Sequence, residues 1–487
     1  MRPSILSAAA LAAVPACAQA HGFAALYNLP VPLTLYNWAA SAALIVSFVV
    51  AAIALTGTTR GHPRSAPDIS AALAVRGLRH TMPVFRVVAV GLLLLCIATG
   101  FLGSRDPLRN FSMTFFWVIF VLLYTYLTAL LGNSYAALNP WDTLARGLGR
   151  LWHGFAKGRV RYPAGLGDWP ALALYLGFIG FELFGSGRPR ALAEFLAVYT
   201  LLNLGGVWLV GRHAWFRHCE FFSVFLRLVA LLAPLDYQRG DRNQPGTLHL
   251  RWPGAGLIVH RPTHLSTVTF VLAMLSTTTF DGLKATQWWV SLFWGDPTGW
   301  MTAWLGVSPV NALAIMRPWY IAWETFWLVV SPFIYLAAYL GTLWLARRLT
   351  GTTRAVTELA RDFGYALLPI AIVYHVTHYA TLILTHGLKI ISLASDPFGW
   401  RWDLFGTAFL FRAPILPDMG VVWHTQVGLI LGGHIVSVWV AHMIALRVFR
   451  SRGKATLSQL PMLVLMIGFT VAGLWILAQP LTMMLLR

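Results

Sequence analysis

The 487-residue chain is 57% hydrophobic and 11% charged, with a net charge of +19 and a mean hydropathy of +0.66. That balance excludes an ordinary soluble protein and makes a lipid bilayer its first partner, since a helix needs roughly 20 apolar residues to cross one. The basic residues are spread over short segments between apolar runs, which excludes a nucleic-acid binder, and no G-x-x-x-x-G-K-[ST] string offers a nucleotide P-loop.

Residues 1–20 read as a secretory signal peptide. Arg2 supplies the positive start, Ile5 to Val14 the apolar core and Ala18-Gln19-Ala20 the small-residue cleavage site, so the mature chain begins at His21. Cys17 makes a poor lipobox, and an uncleaved first helix is the alternative. Beyond it, apolar runs predict about ten spans, near 34–56, 83–103, 113–133, 169–187, 191–211, 264–280, 317–343, 363–386, 421–446 and 457–480. The predicted fold is all-α, a polytopic transmembrane helix bundle forming a single domain over residues 21–487.

Charge sets the orientation. With the mature N-terminus periplasmic, the cytoplasmic segments hold Arg60, Arg64, Arg76 and Arg79, then Arg146 to Arg161, Arg212 to Arg261, Arg347 to Arg361 and Arg450 to Lys454. The opposite segments hold far fewer Lys and Arg, as expected of a bacterial inner-membrane protein.

Three longer connections remain. Cytoplasmic loop 212–263 opens with an amphipathic stretch, Glu220 to Leu232, predicted to lie along the inner interface. Further on, Leu248 to Trp252, a turn at Pro253-Gly254 and Leu257 to Arg261 predict a small β-hairpin. Periplasmic loop 281–316 carries Trp288, Trp289, Trp294, Trp300 and Trp304, suited to the headgroup level. Periplasmic loop 387–420 shares with it the string Asp-Pro-x-Gly-Trp, at Asp296 to Trp300 and Asp396 to Trp400. Two type I turns account for the string, and an internal repeat of the kind transporters carry is the alternative.

Cysteine chemistry is narrow. Cys17, Cys96 and Cys219 form no C-x-x-C pair, which argues against iron–sulfur clusters, covalently attached haem and a thioredoxin-like centre.

Histidine chemistry is richer. His375, His378 and His386 fall on one predicted helix, and His424 and His434 on the next, where ionisable groups usually face a cavity, a partner or an ion. His375 and His386 are about 20° apart in helical phase, with His378 about 60° to one side, so all three share a face. Pro369 predicts a kink ahead of them. Running antiparallel, His434 matches His375 and His378 in depth and His424 matches His386. The two levels are about 15 Å apart, although His424 and His434 are about 80° out of phase.

Glu182, Glu324 and Asp281 are predicted near the same periplasmic boundary, Asp281 as a helix cap, where each can pair with Arg188, Arg190 or Arg317 or join the histidines. Asn133 and Asn203 are expected to serve helix packing. A mature chain starting at His21 can bind copper through its amine and imidazole.

Several strings carry a resemblance: His21-Gly22-Phe23, Leu29-Pro30-Val31-Pro32-Leu33, Asn139-Pro140-Trp141, Tyr374-His375-Val376-Thr377-His378-Tyr379, Ser395-Asp396-Pro397-Phe398-Gly399-Trp400 and Gln459-Leu460-Pro461-Met462-Leu463-Val464-Leu465. On these the chain resembles a family of uncharacterised bacterial multi-pass inner-membrane proteins. What the resemblance implies is architecture. The stretch from Gly364-Tyr365-Ala366-Leu367-Leu368-Pro369 to His378 is also similar to the membrane part of polyferredoxin-like electron-transfer proteins, without their cysteine motifs.

Three function classes follow. The leading expectation is an intramembrane site open to the periplasm, with the five histidines binding copper, zinc or b-type haem and the three carboxylates supporting them. It would serve electron transfer or metal handling with a periplasmic or membrane redox partner. The alternatives are a proton-coupled secondary transporter of a small solute and a non-catalytic anchor or assembly subunit.

Overall fold

The computed structural model describes residues 31–55, 73–238, 247–415, 417–449 and 451–479, so the signal segment and His21 lie outside the described residues. In chain order the main helices are α1 (Leu33–Ala54), α2 (Leu73–Leu102), α3 (Phe111–Leu131), α4 (Pro140–Leu151), α5 (Trp169–Phe184) and α6 (Pro189–Val210). They continue with α7 (Phe221–Val229), α8 (Leu265–Lys284), α9 (Leu313–Thr350), α10 (Leu368–His386), α11 (Met419–Val448) and α12 (Arg452–Ala478).

Eight of these, α1, α2, α3, α6, α9, α10, α11 and α12, belong to segments long and apolar enough to cross a bilayer, as in a multi-pass membrane protein. Ile53, Val87, Leu201, Phe326 and Val464 are exposed on their outer faces, which suits lipid contact. Of the ten predicted spans, the remaining two correspond to α5, only 16 residues long, and α8.

Helix α8 explains why hydropathy alone divides the ten. It is buried on nearly every side, against α5, α9, α10 and α12, so lipid sets no demand on its composition. Its hydroxyls are satisfied along the helix, Thr269, Thr277, Thr278 and Thr279 donating to the carbonyls of Leu265, Ala273, Met274 and Leu275. These hydroxyls thus run through the core with their hydrogen bonds made.

Close approach welds the C-terminal helices. A Cβ on Gly433 would collide with the Val373 side chain, and one on Gly473 with the Tyr374 hydroxyl. That hydroxyl donates to the Phe469 carbonyl at 2.7 Å, tying α10 to α12. Only glycine permits α11 and α12 to lie this near α10.

Helix α3 is irregular. Between Thr114 and Leu123 it winds as a π-helix, the wider turn that often marks functional positions, and it packs on α10.

Several expectations change. Pro369 does not kink α10 but starts it: a short helix (Val356–Phe363) ends in a 3₁₀ turn over Gly364–Leu367, and the proline occupies the first turn of α10. There its missing N–H is unneeded and its fixed φ suits the helix. The amphipathic stretch from Glu220 lies inside the bundle rather than along an interface, with Phe221, Val224, Leu226, Leu228 and Val229 all at most 2% exposed. Its aromatic side meets Phe178, Tyr199 and Trp141. The predicted hairpin around Pro253-Gly254 does not form, because its second half is helical and its first half pairs with an upstream segment. Strand β1 (Leu235–Gln238) pairs antiparallel with β2 (Thr247–Leu250), and Ala255–Val259 is helical.

Both Asp-Pro-x-Gly-Trp strings are turns. Asp296 accepts from the Met301 and Thr302 N–H groups, Asp396 accepts from those of Trp400 and Arg401, and Gly299 and Gly399 both have φ of +72°. The Trp-rich segment divides its rings: Trp289 and Trp294 are buried against α9, while Trp288, Trp300 and Trp304 are exposed. Asn203 accepts from the Trp215 indole and so joins two helices, whereas Asn133, expected in helix packing, accepts from the Ala136 N–H within its own turn.

Candidate functional site

The last turn of α8 carries two ionisable groups one turn apart. Asp281 and Lys284 are each 2% exposed, and the Lys284 ammonium lies 3.6 Å from Asp281 Oδ1. It also sits 5.4 Å over the Phe184 ring at the end of α5, a favourable place for a desolvated cation. Buried charges of this kind persist only when paired and hydrogen-bonded.

Helix α10 completes the pairing. His378 Nε2 lies 2.7 Å from Asp281 Oδ2, and the Tyr379 hydroxyl donates to the same oxygen at 2.9 Å. A carboxylate, an ammonium, an imidazole and a phenol thus meet where the end of α8 packs on α10.

One turn back, His375 Nδ1 stands 3.2 Å from the Tyr126 hydroxyl of α3, and its ring packs 4.9 Å from Tyr379. His375 and Tyr379 border an inner cavity of about 30 Å³ with Tyr175, Thr277 and Glu182, polar groups set in an otherwise aromatic and aliphatic lining with room for about one water. Tyr175 and Thr277 hydrogen-bond at 3.1 Å on its wall.

An outer cavity of about 180 Å³ adjoins it. Its lining includes Thr114, Trp117, Arg188, His386 and Lys389, and it shares Val121, Leu122, Glu182 and Tyr379 with the inner one. Those four form the partition. Tyr379 is one of the four and donates to Asp281, and Glu182 stands beside it on the same partition, so the buried cluster meets the partition directly.

The expected site residues thus separate. His375, His378, Asp281 and Glu182 come together, and His386 joins Lys389 in the outer cavity. His424 does not pair with His386: it is exposed, with Nδ1 2.8 Å from the Gly420 carbonyl and Nε2 3.5 Å from the Tyr36 hydroxyl of α1. His434 is fully buried, with Nδ1 2.8 Å from the Ile430 carbonyl, its ring against Tyr374 and Nε2 without a hydrogen-bond partner. Glu324 is buried on α9 and lines neither cavity. Asp281 is a helical residue facing His378 rather than a cap. Of the arginines proposed as acid partners, Arg190 pairs with Glu194 instead, at 3.0 Å.

Among the described residues no three His, Cys, Asp or Glu side chains are grouped so as to hold a metal ion. Sequence reasoning overlooked Tyr379, Lys284 and Tyr126. The first two carried a signal, one adjoining His378 and the other three residues after Asp281. Compared with protein-family models, with curated proteins and with solved structures, the chain finds no match.

Proposed function

We propose that this protein is a proton-coupled secondary transporter of a small solute, with the Asp281–His378–Tyr379–Lys284 cluster as its coupling site. One observation carries the reading. Tyr379 borders both cavities and also donates to the Asp281 carboxylate, so a proton-binding group stands beside a route from outside. Protons would pass from the outer cavity by Glu182 and Tyr379 to Asp281 and His378.

Charge change is the switch. Adding a proton to a cluster balanced by Lys284 raises the cost of keeping it buried and favours a rearranged packing of α8 against α10. The wide-turned segment of α3 forms the wall such a rearrangement would move. The excess of Lys and Arg in loops at the other end favours an inner-membrane orientation in which the outer cavity faces the periplasm.

Infrared difference spectra recorded across pH test this reading on the full-length protein in detergent. A carboxyl C=O band that titrates in the wild type and disappears in Asp281→Asn and Glu182→Gln is expected. A band unaffected by either substitution would overturn the proposal. So would a stoichiometric metal or haem, found by visible spectra of the oxidised and reduced protein, that His378→Gln removes.

A further inference from the structure

The outer cavity has a chemistry of its own. Its walls are largely apolar, with Met113, Trp117, Phe181, Leu192 and Leu382 among them, while Arg188 and Lys389 lie on its lining. Arg188 is the residue just before α6, and Lys389 follows the end of α10, so two different elements supply cations to one space. Neither cation has an ion-pair partner among the described residues, although neighbouring Arg190 pairs with Glu194 and Arg109 with Asp106. The one acid on the lining, Glu182, belongs to the partition shared with the inner cavity.

We propose that this cavity binds a small organic anion with an apolar body, of the class of short-chain monocarboxylates. The inference rests on the transport reading and names its solute. A volume of about 180 Å³ is room for roughly six water-sized groups, well below a drug-sized ligand. An amine would meet two like charges. A sugar would find few hydroxyl partners on walls made of Met, Trp, Phe and Leu, and its polar groups would be stranded. A carboxylate head accepts from the Arg188 fork and the Lys389 ammonium while its chain covers the apolar wall. His386, on the same lining, adds a third donor when protonated.

The binding position also suits coupling. An anion held here stands next to Glu182 and Tyr379, so its negative charge offsets the positive charge that protonation adds to the Asp281 cluster. Proton and anion would each favour the other's binding, the reciprocity that linkage requires.

An anionic lipid offers the same head-and-chain chemistry, and the test separates the two sources. Pentanoate, pentylamine and pentanol are titrated calorimetrically into the full-length protein in a neutral detergent. Pentanoate is expected to bind at least about tenfold more tightly than either control, to weaken about tenfold in Arg188→Gln/Lys389→Gln, and to be retained in Lys389→Arg. Leu382→Trp, which fills the cavity without touching a charge, is expected to abolish binding.

Equal affinity for the three probes, or pentanoate binding unchanged in both the double variant and Leu382→Trp, would overturn the proposal. Native mass spectrometry in phosphatidylglycerol supplies the other arm. A phospholipid lost from the double variant but not displaced by pentanoate would assign the cavity to a lipid headgroup and sink the solute proposal. Failure here is distinguishable from failure of the transport reading, because the infrared carboxyl titration of the wild type reports Asp281 and Glu182 without any anion.

Discussion

Two histidine–aspartate pairs of nearly equal length sit at different depths in this molecule. His218 Nδ1 lies 2.8 Å from Asp168 Oδ1, and His378 Nε2 lies 2.7 Å from Asp281 Oδ2. Asp168 accepts in addition from the Thr267 hydroxyl at 2.6 Å, has Arg227 at 3.9 Å, and donates its N–H to Ser266. His218 stacks on Tyr162. Those contacts tie the start of α5 to the start of α8, and Asp168 lines neither cavity. Asp281 shares its carboxylate with a tyrosine that lines both. The same pair chemistry is walled in by anchoring contacts in one place and opens onto cavity-lining side chains in the other, and that difference is what the transport proposal rests on.

The largest effect should come from breaking the inner pair. Asp281→Ala removes the carboxylate 3.6 Å from the buried Lys284 ammonium and the acceptor of His378 and Tyr379, and is expected to cost about 3–5 kcal/mol, read by unfolding in detergent. Lys284→Met added to it should restore much of that loss. Strict additivity of the two would break the argument that they act as one unit.

Asp168→Asn should cost less, about 1–3 kcal/mol, because the Thr267 and backbone contacts survive in part. Its pH dependence is more telling. Burial alone would raise the Asp168 carboxyl, but the His218 hydrogen bond, the Arg227 charge and the Thr267 hydroxyl outweigh it and hold the group below the usual carboxylate range. A lowered carboxyl stabilises the fold fully above its unfolded value, and the contribution disappears as pH falls through the folded one. Acid unfolding curves should therefore show a limb that Asp168→Asn flattens. An unchanged limb would remove Asp168 from the anchoring role.

His434→Leu should have the smallest effect, within about 1 kcal/mol, since it exchanges one bond to the Ile430 carbonyl for relief of a buried nitrogen with no partner. His378→Leu is expected to cost more and to abolish the carboxyl titration. Equal losses at the two histidines would erase the contrast between α10 and α11.

Much of the bundle was legible from apolar run lengths, because lipid-facing helices must carry apolar surfaces. Helix α8 was legible only as a span, since its Thr and Ser residues reveal nothing about which helices bury it. The central pairing joins residues 97 positions apart, His378 and Asp281, and no periodicity reports contact over that distance. Helical phase did foretell that His375 and His378 share surroundings. The offset between His424 and His434 was the better guide to α11, whose histidines turn toward Tyr36 and Tyr374 instead of His386 and His378. Phe and Leu spacing identified α7 as two-sided. Whether water or another aromatic layer covers the second side depends on tertiary neighbours such as Phe178 and Tyr199.

The π-wound stretch Thr114–Leu123 makes residue number a determinant of this wall. Ordinary π segments are single-turn bulges arising from one inserted residue, whereas this one runs for 10 residues. Deleting a single position there would let the backbone rewind as α-helix and rotate the flanking side chains by about 100° relative to each other. Trp117, Val121 and Leu122 would then leave their places in the cavity lining with no change in their identity. Insertions and deletions in α3, events usually tolerated only in loops, are thus a direct way for descendants of this sequence to reshape the cavity.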